Sequence, residues 1–303
     1  MFKICEIAIR DLLEGFPEGR DLEGRIYGVS DPEAPEDHSV VFVKNDVSED
    51  VEKVKECIFI TKKDMELSLD PSSIQLKCSF PKNLYGEILE RLKNLMPHLE
   101  HRMEKGYCFS EDLQIGEDVQ IGPFCVVGRD VVIGDGCRIG AGTMIGDHVR
   151  IGRDVQIREK CLVGVEDADI YRTEDGACRT LPHLAGTVIE DGCLMLAGSV
   201  LAAGDTRTTV LGRGSMIGLL GDVGHNCRIG EETLVSGKAS ISGHCRIGDQ
   251  VYVAPMAVTT NRIQVGDHAY LGLGAVAIKD VPEGEKQFGN PARKVLEIKK
   301  KLM

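Results

Sequence analysis

An aliphatic residue recurs at every sixth position through the middle of the chain and is usually followed by glycine. Ile115-Gly116, Ile121-Gly122, Val127-Gly128, Ile133-Gly134, Ile139-Gly140, Ile145-Gly146 and Ile151-Gly152 set the phase, and Ile157 and Val163-Gly164 continue it. The pattern resumes at Ile189, Met195 and Leu201, then slips by four residues. It runs on from Leu211-Gly212 through Ile217, Val223, Ile229, Val235, Ile241, Ile247 and Val253 to Val265 and Leu271, weakened only at Thr259 and Ala277. Four positions after each aliphatic residue stands a second, usually small one, such as Cys125, Val131, Cys137, Thr143, Ser215, Cys227 and Ala239. A six-residue period fits neither an α-helix nor a free-standing alternating strand; it is the hexapeptide signature of a parallel β-helix. Three hexads make one coil, so residues 18 apart stack at about 4.8 Å. Cys227-Arg228-Ile229-Gly230 accordingly falls over Cys245-Arg246-Ile247-Gly248. Gly, Asn and Asp between the aliphatic positions suit corners, where positive φ costs them little.

Residues 1–107 lack the hexad. Val40-Val41-Phe42-Val43 and Cys57-Ile58-Phe59-Ile60 read as strands, and Leu84 to Met103 carries Leu84, Ile88, Leu92, Leu95 and Met96 at helical spacing. Three parts follow: a small α/β domain over 1–107, a β-helix over 108–282, and a C-terminal turn and short basic helix over 283–303. Residues 165–187 break the repeat with a 23-residue excursion of no clear period, a length more often functional than accidental. A shorter break at Asp205–Val210 precedes the second half.

Composition narrows the partners. Lys+Arg is 36 against 48 Asp+Glu, a net charge of −12, which argues against a nucleic-acid backbone as partner. Aromatic content of 5% with 35 glycines suits a narrow, repetitive interior. No apolar run approaches a membrane span, and charged residues interrupt the first twenty positions, so the expected location is cytoplasmic, with no transmembrane segment and no signal peptide. The eleven cysteines are odd in number and form no Cys-x-x-Cys pair; six of them fill the second inward slot, where free Cys acts as a small hydrophobe.

The hexad needs no histidine, so His225 in Val223-Gly224-His225-Asn226 is the leading chemical candidate. It falls on a corner position expected to point outward. A neutral imidazole can accept the proton that an attacking amine must shed. One coil later stands Gly243, whose backbone N–H could face a thioester oxygen as it becomes an oxyanion. No acid that would orient His225 is evident: Asp222 is near in sequence, and a neighbouring subunit is the other source. His244 stacks over Asn226 and under Arg262, a set that could contact a phosphate-bearing ligand. His183 in the excursion could reach an acceptor, while His148 and His268 read as plain turn residues.

The motif [Ile/Val]-Gly-x-x-[Cys/Val/Thr/Ala]-x over some twenty hexads resembles the left-handed β-helix of hexapeptide-repeat acyltransferases. The whole arrangement resembles the UDP-3-O-acylglucosamine N-acyltransferases of lipid A synthesis, through Gly28-Val29-Ser30, Phe42-Val43-Lys44-Asn45, Leu181-Pro182-His183-Leu184 and Gly224-His225-Asn226. That resemblance implies an N-acyltransferase acting on the amine of a nucleotide-linked amino sugar, with no metal and no bound cofactor. It implies His225 as base, Gly243 as oxyanion donor, uridine bound near Phe42 and Asn45, and a homotrimer. The chain departs from the family in Asp46-Val47-Ser48, where an aromatic is usual, and in Ala202-Ala203-Gly204, where Asp-Arg-Gly is usual. A second family histidine falls on Arg262.

The ending Gly289-Asn290-Pro291-Ala292, with Lys279-Asp280-Val281-Pro282, is similar to that of acetyl-CoA-dependent sugar acetyltransferases, whose corresponding turn lies beside the CoA. Arg293 and Lys294 would hold CoA phosphates or an acidic acyl carrier protein equally well. The donor is therefore acyl-CoA or an acyl carrier protein, the alternative being an acetyl-CoA-dependent N-acetyltransferase outside lipid A synthesis. Two further classes stand beside these. One is a metal-dependent hydratase similar to γ-class carbonic anhydrase, which needs three convergent histidines; the other is a nucleotide-sugar-binding scaffold without chemistry.

Overall fold

The computed structural model describes residues 3–16, 24–44, 47–96, 101–104 and 106–289, with the backbone alone for 101–104. The hexad folds as its period requires. Each one gives a two-residue strand and a turn, and strands three hexads apart pair in parallel to form a three-sided prism. The first face opens with Gln114–Ile115 and Val132–Ile133, the second with Gln120–Ile121 and Arg138–Ile139. The third opens with Tyr107–Ser110 and Val126–Val127.

The aliphatic and small positions both point inward, and residues such as Ile133, Cys137, Ile229, Cys245 and Ile247 are almost wholly buried in one continuous core. The six slot cysteines belong to it; Cys227 Sγ, for example, donates to the Ser242 carbonyl at 3.1 Å. The fourth residue of each hexad turns the corner in the left-handed region. Gly136, Gly142 and Gly192 take that conformation without a Cβ clash, whereas Asn226, His244 and Arg262 take it with side chains, at φ of 58°, 64° and 68°.

Both irregularities of the repeat fall at one edge, between the third and first faces. Val163 pairs with Leu201 across the 165–187 excursion, 38 residues on, and Ile189 pairs with Leu211, 22 residues on, across the four-residue slip. Pairs that span neither break are staggered by 18, as in Ile229 with Ile247, until the last coil, where Leu271 pairs with Gln287, 16 residues on. Part of the excursion forms a hairpin, Ile170–Arg172 against Cys178–Thr180.

The N-terminal part is a four-stranded parallel sheet of Gly28–Ser30, Ser39–Phe42, Ile58–Lys62 and Ile74–Cys78 in sequential order. The helix Pro81–Leu95 packs on it through Tyr85, Ile88, Leu89 and Leu92, all fully buried. This helix starts and ends earlier than the apolar spacing of 84–103 predicts. The chain instead enters the third face as His101–Glu104, antiparallel to Tyr107–Ser110. At the other end the second face extends past 282 to Lys286–Gln287, paired with Tyr270–Leu271. Residues 290–303, and so the expected C-terminal helix, lie outside the described residues. Among the described residues no helix is long and apolar enough to cross a membrane.

The excursion belongs to both parts. Leu181, Leu184 and Ala185 complete the N-terminal core. Lys93 of the helix pairs with Glu166 at 2.7 Å, and Lys82 pairs with Asp169. Tyr85 Oη donates to the Asp205 carbonyl at 3.0 Å. These links fix the N-terminal domain over the irregular edge of the prism.

Candidate functional site

That edge collects the site. Corner positions of successive coils bring His225, Asn226, Gly243, His244 and Arg262 into two adjacent columns, and the excursion adds Asp167, Asp169 and His183. His225 points away from the prism core, as its hexad position requires, yet it is only 5% exposed because the excursion covers it. Its Nδ1 lies 2.9 Å from Asp167 Oδ2, and the same oxygen accepts the His225 backbone N–H at 3.2 Å. The orienting acid thus comes from the same chain, 58 residues upstream. Asp222, the sequence neighbour considered for that role, instead accepts a hydrogen bond from Ser240 Oγ at 3.1 Å. Glycine at 224 makes the arrangement possible: a Cβ there would sit 3.2 Å from Asp167 Oδ2 and 2.9 Å from the Gly243 nitrogen.

With Nδ1 bonded to the carboxylate, His225 Nε2 is left facing Gly243 and Asp169. A Cβ on residue 243 would meet His225 Cε1 at 2.5 Å, so the glycine lies flat against the ring edge. Among the described residues no acceptor meets the Gly243 N–H, although carboxylates one coil on serve the matching N–H groups of Glu117 and Glu231. Burial works against a charged His225. The Asp167 hydrogen bond and the charges of Asp205, Asp169 and Asp167 outweigh it and raise the imidazole above its ordinary value. The same hydrogen bond holds Asp167 well below the usual carboxylate range.

A second acidic group lies beside the histidines. Burial disfavours the Asp169 carboxylate, but contacts with His244, Asp205 and Lys82 hold its carboxyl low. Asp205 is wholly buried, and its own desolvation and the Asp169 charge raise it. His244 is pushed down by burial, and its Nε2 has Asn226 Nδ2 at 3.3 Å and Arg262 Nη2 at 3.4 Å. The His183 and His244 rings both meet His225 edge-on, with centroids at 5.5 and 5.1 Å.

Asn226 is not free to bind a ligand. Its Oδ1 accepts the backbone N–H groups of Asp205, Thr206 and Arg207 at 3.0, 3.2 and 3.0 Å, and its Nδ2 is taken by Asp205 Oδ1 and His244. It holds the four-residue slip in place, a structural task that its place in a Gly-His-Asn triplet does not announce.

A cleft of ≈ 490 Å³ opens from this cluster between the prism and the N-terminal sheet. His244, Asp169, Arg207 and Arg262 form its prism wall; Phe42, Lys44, Lys62, Phe80 and Lys82 form the other. The Phe42 ring stacks on Tyr85 at 5.2 Å. Arg207 is tied to Asp31 at 3.0 Å and Lys82 to Asp169, whereas Lys44 and Lys62 make no ion pair among the described residues. Asn45 lies outside the described residues, as do Asn290, Pro291, Ala292, Arg293 and Lys294. Gly289, a partly exposed residue after the last strand, sits 3.5 Å from Ala275 Cα, measured from the Cβ it lacks, three coils along the prism from the strand that precedes His225.

Sequence reasoning missed Asp167, Asp169 and Asp205. The usable signal was positional: both breaks in the period flank the corner that carries His225, so acids within them were the ones to test.

Residues 112–147 match the family described as bacterial transferase hexapeptide (six repeats). Solved structures share the architecture. LpxA from Acinetobacter baumannii aligns at 24% identity with a TM-score of 0.57, over 62% of this chain and 71% of that one. The UDP-N-acetylglucosamine acyltransferase of Francisella novicida aligns at 23% and 0.56, over 66% and 73%. The UDP-N-acetylglucosamine O-acyltransferase of Moraxella catarrhalis aligns at 20% and 0.56, over 65% and 77%. The chain is a left-handed parallel β-helix of the hexapeptide-repeat type.

Proposed function

We propose that the chain is an acyltransferase that moves an acyl group from a thioester to the amine of a nucleotide-linked amino sugar. One observation carries the reading. His225, oriented by Asp167, presents Nε2 beside the unbonded Gly243 N–H, directly behind His244 and Asp169, which line a cleft of ≈ 490 Å³. In this reading the acceptor amine lies against His225 Nε2 and attacks the thioester carbonyl. The base takes the amine proton as the C–N bond forms, and Asp167 steadies the resulting imidazolium. The Gly243 N–H meets the carbonyl oxygen as it gains charge, and collapse of the tetrahedral adduct breaks the C–S bond while the His225 imidazolium returns its proton to the sulfur, releasing the thiol and restoring the base. No covalent enzyme intermediate is needed.

The cleft suits the acceptor. Lys44, Lys62 and Arg262 offer charge for phosphates, and Phe42 and Phe80 offer aromatic surface for a base. The donor is acyl carrier protein or CoA. Acting as a cytoplasmic homotrimer also fits a prism that exposes Leu219, Leu220, Met256, Leu273, Val276 and Ile278 along one side, too much apolar surface to leave in water. The transferase repeat found in residues 112–147 supports the same class.

The test is thiol release by the purified protein with acetyl-CoA or acyl carrier protein thioesters against a panel of UDP- and dTDP-amino sugars. Turnover should fall by about 10²–10⁴ in His225→Ala, the usual contribution of a general base. Binding of nucleotide sugars without turnover from any donor would replace this reading with the scaffold one.

A further inference from the structure

The irregular corner holds more lone pairs than its protons can serve. His225 Nδ1 is committed to Asp167, so Nε2 carries a lone pair, and it stands 3.9 Å from Asp169 Oδ2. His244 Nε2 stands 3.9 Å from that same oxygen, and the three atoms lie within 4.8 Å of one another. Two buried neighbours add to the excess. His183, only 6% exposed, bonds the Leu181 carbonyl through Nδ1 at 2.7 Å, so its Nε2 is also a lone pair, and that atom has no partner. Asp205 Oδ2 is buried without a donor, and its carboxyl lies against that of Asp169. Two imidazole nitrogens and the Asp169 oxygen that Lys82 leaves free thus converge on one point, a donor set that suits a metal cation.

We propose that His225, His244 and Asp169 bind a divalent transition-metal ion of the zinc class, with the fourth position open to water. Ligands about 2.0–2.1 Å from a tetrahedral zinc lie about 3.4 Å apart, so the present 3.9 Å separations close with movements of about half an ångström. Asp167 on His225 Nδ1 is the kind of carboxylate that fixes a ligating histidine from behind. Lys82 holds Asp169 through Oδ1 and leaves Oδ2 to the ion. The ion displaces both contacts at His244 Nε2, that of Asn226 Nδ2 at 3.3 Å and that of Arg262 Nη2 at 3.4 Å. Because it takes the lone pair of His225, the metal-bound protein is silent in acyl transfer. That consequence, but not the binding, rests on the reading of His225 as base.

The experiment uses the full chain stripped with a chelator, titrated with zinc by calorimetry and with cobalt(II) by visible absorption, with a melting curve recorded for every variant. The expected result is one ion per chain and an intense tetrahedral cobalt band. Both vanish in His244→Ala, weaken about 10- to 100-fold in Asp169→Asn, and strengthen in Arg262→Gln, which removes a competing charge. His148→Ala, at a buried histidine paired with Asp130 in an earlier coil, should leave binding unchanged. Zinc binding that is absent, or equal in folded His244→Ala and the unaltered chain, overturns the proposal. Zinc that binds at these residues without slowing acyl transfer sinks the base reading and leaves the metal site standing. Transfer without zinc binding does the reverse.

Discussion

Two corners of the prism are built from the same hexad and do different things. At the corner between the first and second faces, carboxylates in four coils accept the backbone N–H one coil back: Asp135 from Glu117, Asp191 from Arg153 and Asp249 from Glu231 at 2.7 Å, and Asp267 from Asp249 at 2.9 Å. The corner between the third and first faces begins the same way, with Asp147 accepting the Arg129 N–H at 2.8 Å. Above that point the excursion and the slip interrupt the ladder. Asp167 arrives from outside the repeat to serve His225, and the Gly243 N–H is left without an acceptor. The regular corner uses its polar groups to hold coils together. The irregular one gives up that pairing and gains a buried histidine paired with a carboxylate, a backbone donor without an acceptor, and a cleft.

The predictions sharpen this contrast. His225→Ala, with the 10²–10⁴ fall in transfer stated above, is the largest effect. Gly243→Ala comes next. Its φ is not in the left-handed region, so the backbone itself tolerates alanine, but the new Cβ falls 2.4 Å from His225 Nε2 and must push the buried ring aside, so the chain should also melt somewhat lower. Transfer should fall by roughly a hundredfold, the scale of losing much of the base; a Gly243→Ala enzyme of full activity would remove Gly243 from the site. At the regular corner, Asp249→Ala removes one acceptor from an exposed turn. It should cost about 1 kcal/mol in a denaturant melt and leave the rate alone.

The smallest effect is acid loss of stability from the early coils of the irregular edge. Burial opposes charge on Asp147 and Asp130. Bonds from Arg129 to Asp147, and from His148 and Arg150 to Asp130, outweigh it and depress both carboxyls. A depressed folded pKa means that the stabilisation is complete above the unfolded value of about 3.9 and is lost as pH falls through the lower folded value. Melting temperatures between pH 5 and pH 2 should therefore fall less in Asp147→Asn than in the unaltered chain. Parallel curves would contradict the assignment.

The prism was legible in the sequence because its core is local and periodic: one aliphatic and one small residue per hexad determine both the strand and its stacking. His225 and Gly243 were legible for the same reason, since a stagger of 18 brings them together. Asp167 was not, because nothing periodic relates it to His225; only the folded excursion makes them neighbours. Asn226 misled because its motif suggests a ligand contact, while its amide serves the backbone of a loop twenty residues earlier. In the N-terminal domain, Ile74-Gln75-Leu76-Lys77-Cys78 alternates as an edge strand should, but is short enough to pass unnoticed between turns.

The central claim is that the excursion makes the hexad prism catalytic, and Asp167→Asn tests it most directly. Asparagine keeps the size of the side chain and can still accept the His225 backbone N–H, but it removes the charge that supports an imidazolium. Thiol release, measured beside a melting curve, should drop about ten- to a hundredfold, part of the full contribution of the base, with little change in stability. Transfer unchanged from the unaltered chain would mean that His225 works without Asp167, or not as the base, and that the departures from the repeat at this corner are structural.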